Sequence, residues 1–313
     1  MRSVTERFDA GRGSGNERIR SKIIFAFEGY STEVAYFRGL AENRSIAGID
    51  DLIGICVLQR EELDSGVSDP AGMLEILKAN IEAMERGYHT ISTFTELARN
   101  EVGKTVGIGR SDERMGAFID RLKGLLGNIA EKDGTVKDIR SAKMIALTLS
   151  EELFGKGADF PVPEPETYDP DVDRVCVLID RDRESHSPHT MDLFINACRD
   201  NGFEPYICNP CFEFWLLLHF DGIYELDRKA LGSNPMVGDR RYTEVELDRI
   251  ISEINPEHHY DKADLDPLMF IHRIGEAVEH SRSFCIEIKC LKHEVGTNLG
   301  TLFERIMKKR RRR

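Results

Sequence analysis

Apolar positions along the chain come in two kinds, short unbroken runs and runs at helical spacing, and the two kinds alternate. Lys22–Phe27 (KIIFAF) is a short apolar, β-branched run ending in Glu28-Gly29, the pattern of a buried strand stopped by a turn. Behind it Ser31 or Thr32 can cap a helix on which Val34, Tyr36, Phe37 and Leu40 recur near helical spacing. Glu33 falls in the first turn, where the helix dipole favours an acid. Leu52–Leu58 (LIGICVL) predicts a second strand, and Met73, Leu74, Leu77, Ile81 and Met84 mark an amphipathic helix from Pro70 to Arg86. From there the segments Ile91–Glu101, Arg114–Glu131 and Lys137–Leu153 are helical and polar, separated by glycine-containing joints. Phe160–Asp171 carries Pro161, Pro163, Pro165 and Pro170, which excludes regular helix and predicts an extended return.

Val175–Ile179 (VCVLI) is an unbroken apolar run bounded by charge, as a parallel strand buried on both faces should be, and it ends at Asp180. A helix around Met191–Asn201, a strand Glu204–Cys208 and an apolar helix Phe212–His219 come next. The series Thr243-Glu244-Val245-Glu246 predicts a capping box opening a helix to Ile254, and another helix runs from Leu268 to His280. The alternation predicts an α/β fold, an open, mostly parallel sheet flanked by helices. Its expected organisation is a basic arm over 1–20, a first sheet part over 21–86, a helical insertion with its proline-rich return over 87–170, a second sheet part over 171–305, and a basic tail over 306–313.

Composition narrows the class. The chain has 313 residues with a formal net charge of −12, a composition of soluble globular type. No run approaches the roughly 18 apolar residues of a membrane span, and Met1–Lys22 is studded with Arg, Asp and Gly in place of an apolar signal core, so neither a membrane nor export is expected. Seven cysteines, with Cys56, Cys176 and Cys285 inside apolar runs, read as free thiols and a cytoplasmic location. An acidic average disfavours a protein that coats nucleic acid non-specifically, although Arg12, Arg18, Arg20, Lys22 and the terminal run Lys308–Arg313 are basic.

In open α/β sheets ligands collect at the carboxyl ends of strands, which draws attention to Glu28 after the first strand and to Asp180-Arg181-Asp182 after the central one. Carboxylates at i and i+2 can aim at one hard cation, and Mg²⁺ commonly takes one or two protein carboxylates and keeps waters. With Glu28 on an adjacent strand, a third carboxylate would complete a cluster whose mutual repulsion raises its pKa toward acid/base use. The plainer alternatives are a turn-forming Asp180, and a solvated Asp182 and Glu184 neutralised pairwise by Arg181 and Arg183. An aspartyl-nucleophile phosphatase expects a small residue and Gly-Thr where Arg183-Glu184 stands, and no GxGxxG succeeds the first strand. Cys208 and Cys211 form a CxxC with no second half at zinc spacing. His186, His189, His258 and His259 read as surface residues.

These motifs together resemble those of a family. Glu28-Gly29-Tyr30-Ser31-Thr32-Glu33, continuing to Tyr36-Phe37, is similar to the EGxxTExxYF opening of RloB-like proteins of the Toprim superfamily, and Asp180-Arg181-Asp182-Arg183 resembles their DxDR element. Asn209–Phe220 (NPCFEFWLLLHF) resembles their NPxFExWLLLHF segment, Tyr260-Asp261-Lys262 a YxK element, and Gly296-Thr297-Asn298 with Thr301 a closing TNPST-type stretch, in which Leu299-Gly300 replaces Pro-Ser. The resemblance covers about 20–60 and 172–305 and skips the helical insertion. It implies a Toprim-like fold with Glu28 as general acid/base and Asp180 and Asp182 on Mg²⁺ or Mn²⁺. The implied activity is a nuclease cleaving DNA or RNA, tRNA included, in anti-phage defence by abortive infection. Glu213 either satisfies amide donors at its helix start or enters the acidic cleft as a further metal or water ligand. Lys262 either contacts a phosphate or is solvated, and His219 is a core histidine or a functional one.

The expected partners are a nucleic-acid substrate, with an ATPase or other defence-system protein and a second copy of the chain as further candidates. Two other readings compete. One is a sensor or partner subunit released by another protein or a nucleotide signal, with the insertion as docking surface. The other is a metal-dependent phosphatase acting on small substrates.

Overall fold

The computed structural model describes residues 21–29, 31–58, 70–109, 112–156, 167–184 and 186–307. The basic arm and most of the basic tail lie outside these residues, as does most of the proline-rich return.

In chain order the described elements begin β1 (Ser21–Phe27), α1 (Thr32–Glu42), β2 (Ile53–Leu58), α2 (Pro70–Glu85), β3 (His89–Thr90), α3 (Ile91–Val106), α4 (Glu113–Leu126), β4 (Thr135–Val136), α5 (Ile139–Phe154), β5 (Arg174–Asp180) and α6 (Pro188–Asp200). They continue with β6 (Glu204–Asn209), α7 (Phe212–Leu217), a 3₁₀ turn (Asp221–Glu225), α8 (Arg228–Ser233), β7 (Met236–Val237), β8 (Arg240–Arg241) and α9 (Tyr242–Ile254). Last come α10 (Leu268–Ile271), α11 (Ile274–Ser281), α12 (Ile288–Leu291), β9 (Gly296–Thr297) and α13 (Leu299–Ile306). Among the described residues no helix is long and apolar enough to cross a membrane.

The fold is α/β. Its main sheet has five strands in the order β2-β1-β5-β6-β9, with β2, β1, β5 and β6 mutually parallel and β9 antiparallel at the edge. β5 is central, and Val175 to Ile179 are all buried, which is why that run is apolar without alternation. The chain divides into two compact units. The sheet unit holds 21–58, 70–74 and 172–307; the helical unit holds 75–171, and the division falls within α2.

In the sheet unit, α1 lays Phe37 against Phe25 and Phe27, with ring centroids at 4.3 and 5.0 Å, and α7 is buried along its whole length. Trp215 stacks on Phe303 of α13 at 5.2 Å. In the helical unit, α3, α4 and α5 bury Phe94, Phe118, Leu122 and Leu149 in a separate apolar core. Each of these helices is amphipathic, so their polar outer faces suit three helices that must share one small core.

Three expectations are corrected. Thr243 does not cap α9: the cap position is Arg241, and Thr243 instead donates its amide and hydroxyl to Asn234 Oδ1 at 3.0 and 3.1 Å. The helix foreseen over Leu268–His280 breaks into α10 and α11 where Arg273 leaves helical dihedrals (φ −109°, ψ 12°), and its guanidinium sits 5.4 Å above the Phe220 ring. Cys285 is not a free thiol: it is bonded to Cys290.

Candidate functional site

Strand register builds the site. Phe27 of β1 lies opposite Leu178 of β5, and the Glu28 amide continues the ladder by donating to Leu178 O at 3.2 Å. Asp180 lies opposite Cys208 of β6, and the Arg181 amide donates to Cys208 O at 2.7 Å. Glu28 and Asp180 therefore emerge side by side at the carboxyl ends of adjacent parallel strands, where such sheets form their ligand crevices. Asp182 closes a tight turn, its Oδ1 accepting from Glu184 N at 3.1 Å and its carbonyl from His186 N at 2.8 Å. A Cβ at Gly29 would overlap the Glu33 carboxylate, so a larger residue there would require that carboxylate to move.

Glu213, in the first turn of α7, accepts a hydrogen bond from the Tyr260 hydroxyl at 3.0 Å. The Lys262 ammonium sits 3.0 Å from Glu213 Oε1 and 2.8 Å from Glu244 Oε1. The Thr32 hydroxyl donates to the Lys262 carbonyl at 3.4 Å, tying the YxK segment to the start of α1. Glu33, Asp180, Asp182, Glu213, Glu244 and Lys262 line one open cavity of about 300 Å³.

The electrostatics of this cavity are set by too many acids for its cations. Burial, followed by repulsion from Glu33, Glu213 and Glu28, pushes the Asp180 carboxyl well up, against the opposing pull of Lys262. Burial also dominates at Glu33, with Glu213 and Glu28 adding to it, and the carboxyl is pushed up to about 7. At Glu213 burial works in the same direction, but the Lys262 ammonium and the local hydrogen bonds outweigh it and hold the group below the usual range. The Asp180 Oδ1 and Glu28 Oε2 atoms are buried with no hydrogen-bond partner.

A buried, unpartnered carboxylate is costly unless it binds a proton or a cation. The donor set, all carboxylate oxygen, suits a hard divalent ion such as Mg²⁺ or Mn²⁺. No three of these carboxylates bring oxygens within 4.8 Å of one another among the described residues. The acidic cavity thus fits an ion held directly by one or two carboxylates, with waters reaching the others.

His186 is corrected from a surface residue to a buried one. Its Nε2 lies 2.9 Å from Glu28 Oε1, and that hydrogen bond raises the imidazole pKa. Glu184 is not neutralised by the neighbouring arginines. Arg181 is buried and donates Nε to Lys292 O at 2.7 Å, Arg183 donates to His293 O at 2.6 Å, and Glu184 pairs with Arg241 at 2.6 Å.

The cysteines of the CxxC part company, Cys208 Sγ meeting the Thr297 hydroxyl at 3.4 Å and Cys211 Sγ the Thr243 hydroxyl at 3.2 Å. His219 is a core residue: its Nδ1 donates to Trp215 O at 2.9 Å, its Nε2 accepts from the Tyr36 hydroxyl at 3.1 Å, and burial pushes its pKa down to about 3. His189, His258 and His259 are exposed. Sequence reasoning missed Glu33 and Glu244 as cavity groups, and Tyr260 and His186 as the hydrogen-bond partners of Glu213 and Glu28. Glu33 carried a signal as the second acid of EGxxTE, but its place in a helix's first turn gave it an ordinary explanation.

These features define an open α/β-sheet protein with a carboxylate-rich cavity at the carboxyl edge of its parallel strands. The model of the RloB-like protein family matches residues 23–306, and the chain belongs to that family. No curated protein and no solved structure matches it.

Proposed function

We propose that the chain is a Toprim-type, divalent-metal-dependent nuclease that cleaves phosphodiester bonds of DNA or RNA and serves in anti-phage defence. The observation that carries this reading is the pair of buried oxygens, Asp180 Oδ1 and Glu28 Oε2, left without hydrogen-bond partners on adjacent strand ends. Family membership supports the reaction class.

In this reading Asp180 and Asp182 would hold Mg²⁺ or Mn²⁺, with Glu28, Glu33 and Glu213 reaching it through water. A bound divalent ion polarises a phosphoryl oxygen and stabilises the charge developing there. Glu28 holds or passes a proton at Oε2, while His186 fixes Oε1 through its 2.9 Å hydrogen bond. Lys262 holds Glu213 ionised and keeps Glu213 and Glu244 in place by pairing with both. Tyr260 fixes the same Glu213 oxygen from its other side. Arg183 and Arg241 on the cavity's lining supply positive charge for flanking phosphates.

The test is cleavage of double-stranded DNA, single-stranded DNA and total tRNA by the full chain with Mn²⁺ or Mg²⁺. We expect cleavage of at least one polynucleotide, loss of roughly 100-fold or more in Asp180→Asn and Glu28→Gln, and little turnover of free nucleotides. Undiminished cleavage by Asp180→Asn would refute the assignment.

A further inference from the structure

Outside the acidic cavity, the chemistry that stands apart is sulfur. Cys285 and Cys290 form a disulfide, while Cys56, Cys176, Cys198, Cys208 and Cys211 are free thiols. The bridge lies in the wall of a second open cavity of about 790 Å³, which shares Arg183, Gly232 and Ser233 with the acidic one. Both bridged residues are only half-buried, so a small thiol can reach them.

The residues just past the bridge connect it to the acidic turn. Immediately after Cys290, three successive carbonyls accept hydrogen bonds from side chains at the ends of β5 and β6. Leu291 O takes Asn209 Nδ2 at 2.7 Å, Lys292 O takes Arg181 Nε at 2.7 Å, and His293 O takes Arg183 Nη2 at 2.6 Å. Arg181 and Arg183 alternate with Asp180 and Asp182 along the chain, so this segment clamps the turn that presents both carboxylates. Before the bridge, the Cys285 amide donates to Val295 O at 3.1 Å, and its carbonyl presses so closely on Gly296 that a Cβ at that glycine would collide with it. The disulfide therefore closes a short loop that is anchored on one side to the edge strand β9 and on the other to the acidic turn.

We propose that Cys285–Cys290 is a reversible thiol–disulfide site whose state sets the rigidity of the turn carrying Asp180 and Asp182. Reduction is a balanced exchange with a small-molecule thiol. A thiolate attacks one sulfur, the S–S bond breaks, and the other cysteine leaves as a thiolate that takes up a proton. A second thiol then resolves the mixed disulfide, so both cysteines end as thiols and the external pair, having given two electrons, becomes a disulfide. The Glu287 carbonyl lies 3.5 and 3.2 Å from the two sulfurs and can accept an S–H from either once formed. Opening the bridge returns conformational freedom to 285–290, loosens the three-carbonyl clamp, and so loosens the acidic turn. The consequence for cation holding, though not the coupling itself, rests on the function proposed above.

The experiment is hydrogen exchange read by mass spectrometry on the full chain, equilibrated with dithiothreitol or with oxidised glutathione, the thiol count fixed by alkylation. Reduction is expected to speed exchange on the order of tenfold in peptides spanning 181–186 and 286–293, to leave the β1 peptide unchanged, and to reverse on reoxidation. Cys290→Ser should match the reduced state under both conditions. Exchange over 181–186 that is the same in both verified states overturns the proposal, as does full alkylation of Cys285 and Cys290 under oxidised glutathione. Mn²⁺ binding measured on the same samples separates the two ideas. Several-fold weaker binding on reduction supports the switch, whereas redox-dependent exchange with no Mn²⁺ bound in either state supports the coupling and overturns the cation reading.

Discussion

Asp180 and Glu33 cost the fold stability in their ionised forms. Each is a carboxyl whose charged form is opposed by burial and by neighbouring acids. For Glu33 the ordinary value is 4.5 and the folded value is about 7, so between these the native state binds more protons than the unfolded one. Stability from this group is therefore present at acid pH and is lost as pH rises from 4.5 to about 7. Thermal melts of the metal-free chain should then show a Glu33→Gln advantage that grows across that window and levels above it; an advantage that is flat with pH contradicts the shift. Asp180→Asn removes the same repulsion at the strand end and should raise the metal-free Tm at pH 8 by about 2–4 °C while abolishing activity, the trade expected of a functional group held at a cost to the fold. Glu28 and Asp180 were legible in the sequence because each directly succeeds an apolar run that could only be a strand. His186 was not, because its link to Glu28 crosses from one strand-end loop to another and leaves no periodic trace.

Among the elements, most helices and strands could be read from spacing alone, since amphipathic stripes and buried apolar runs are local records of burial. Spacing could not record how elements join. The start of α9 is satisfied from outside the helix, by Asn234, which sits at the end of α8 with φ 41°, a left-handed conformation that asparagine tolerates. Asn234→Ala loses both the acceptor for Thr243 and that tolerance, and we expect a cost of about 1–2 kcal/mol in denaturant unfolding; a change below a few tenths of that would mean the cap is dispensable. The short strand β9 was invisible for a related reason, because its two residues pair with β6 only through tertiary placement.

At the scale of the whole molecule, the polar helical segments predicted a helical insertion over 87–170, whereas the compact unit begins earlier, at Glu75 within α2, and has a core of its own around Phe118 and Leu122. Leu122→Ala should cost about 2–5 kcal/mol within that unit. Hydrogen exchange should then speed in α3, α4 and α5 while β1 and β5 keep their protection; uniform loss across both units would show that they unfold as one. Family membership extends over both units, yet the acidic cavity is built by the sheet unit alone.

The claim on which the functional reading turns is that these carboxylates hold a divalent cation. Electron paramagnetic resonance of Mn²⁺ titrated into the full chain at pH 8 measures this without reference to any substrate. Saturable binding to the natural chain, lost in Asp180→Asn and weakened in Asp182→Asn and Glu28→Gln, is the predicted result. Equal Mn²⁺ uptake by the natural chain and Asp180→Asn, or none by either, would contradict it.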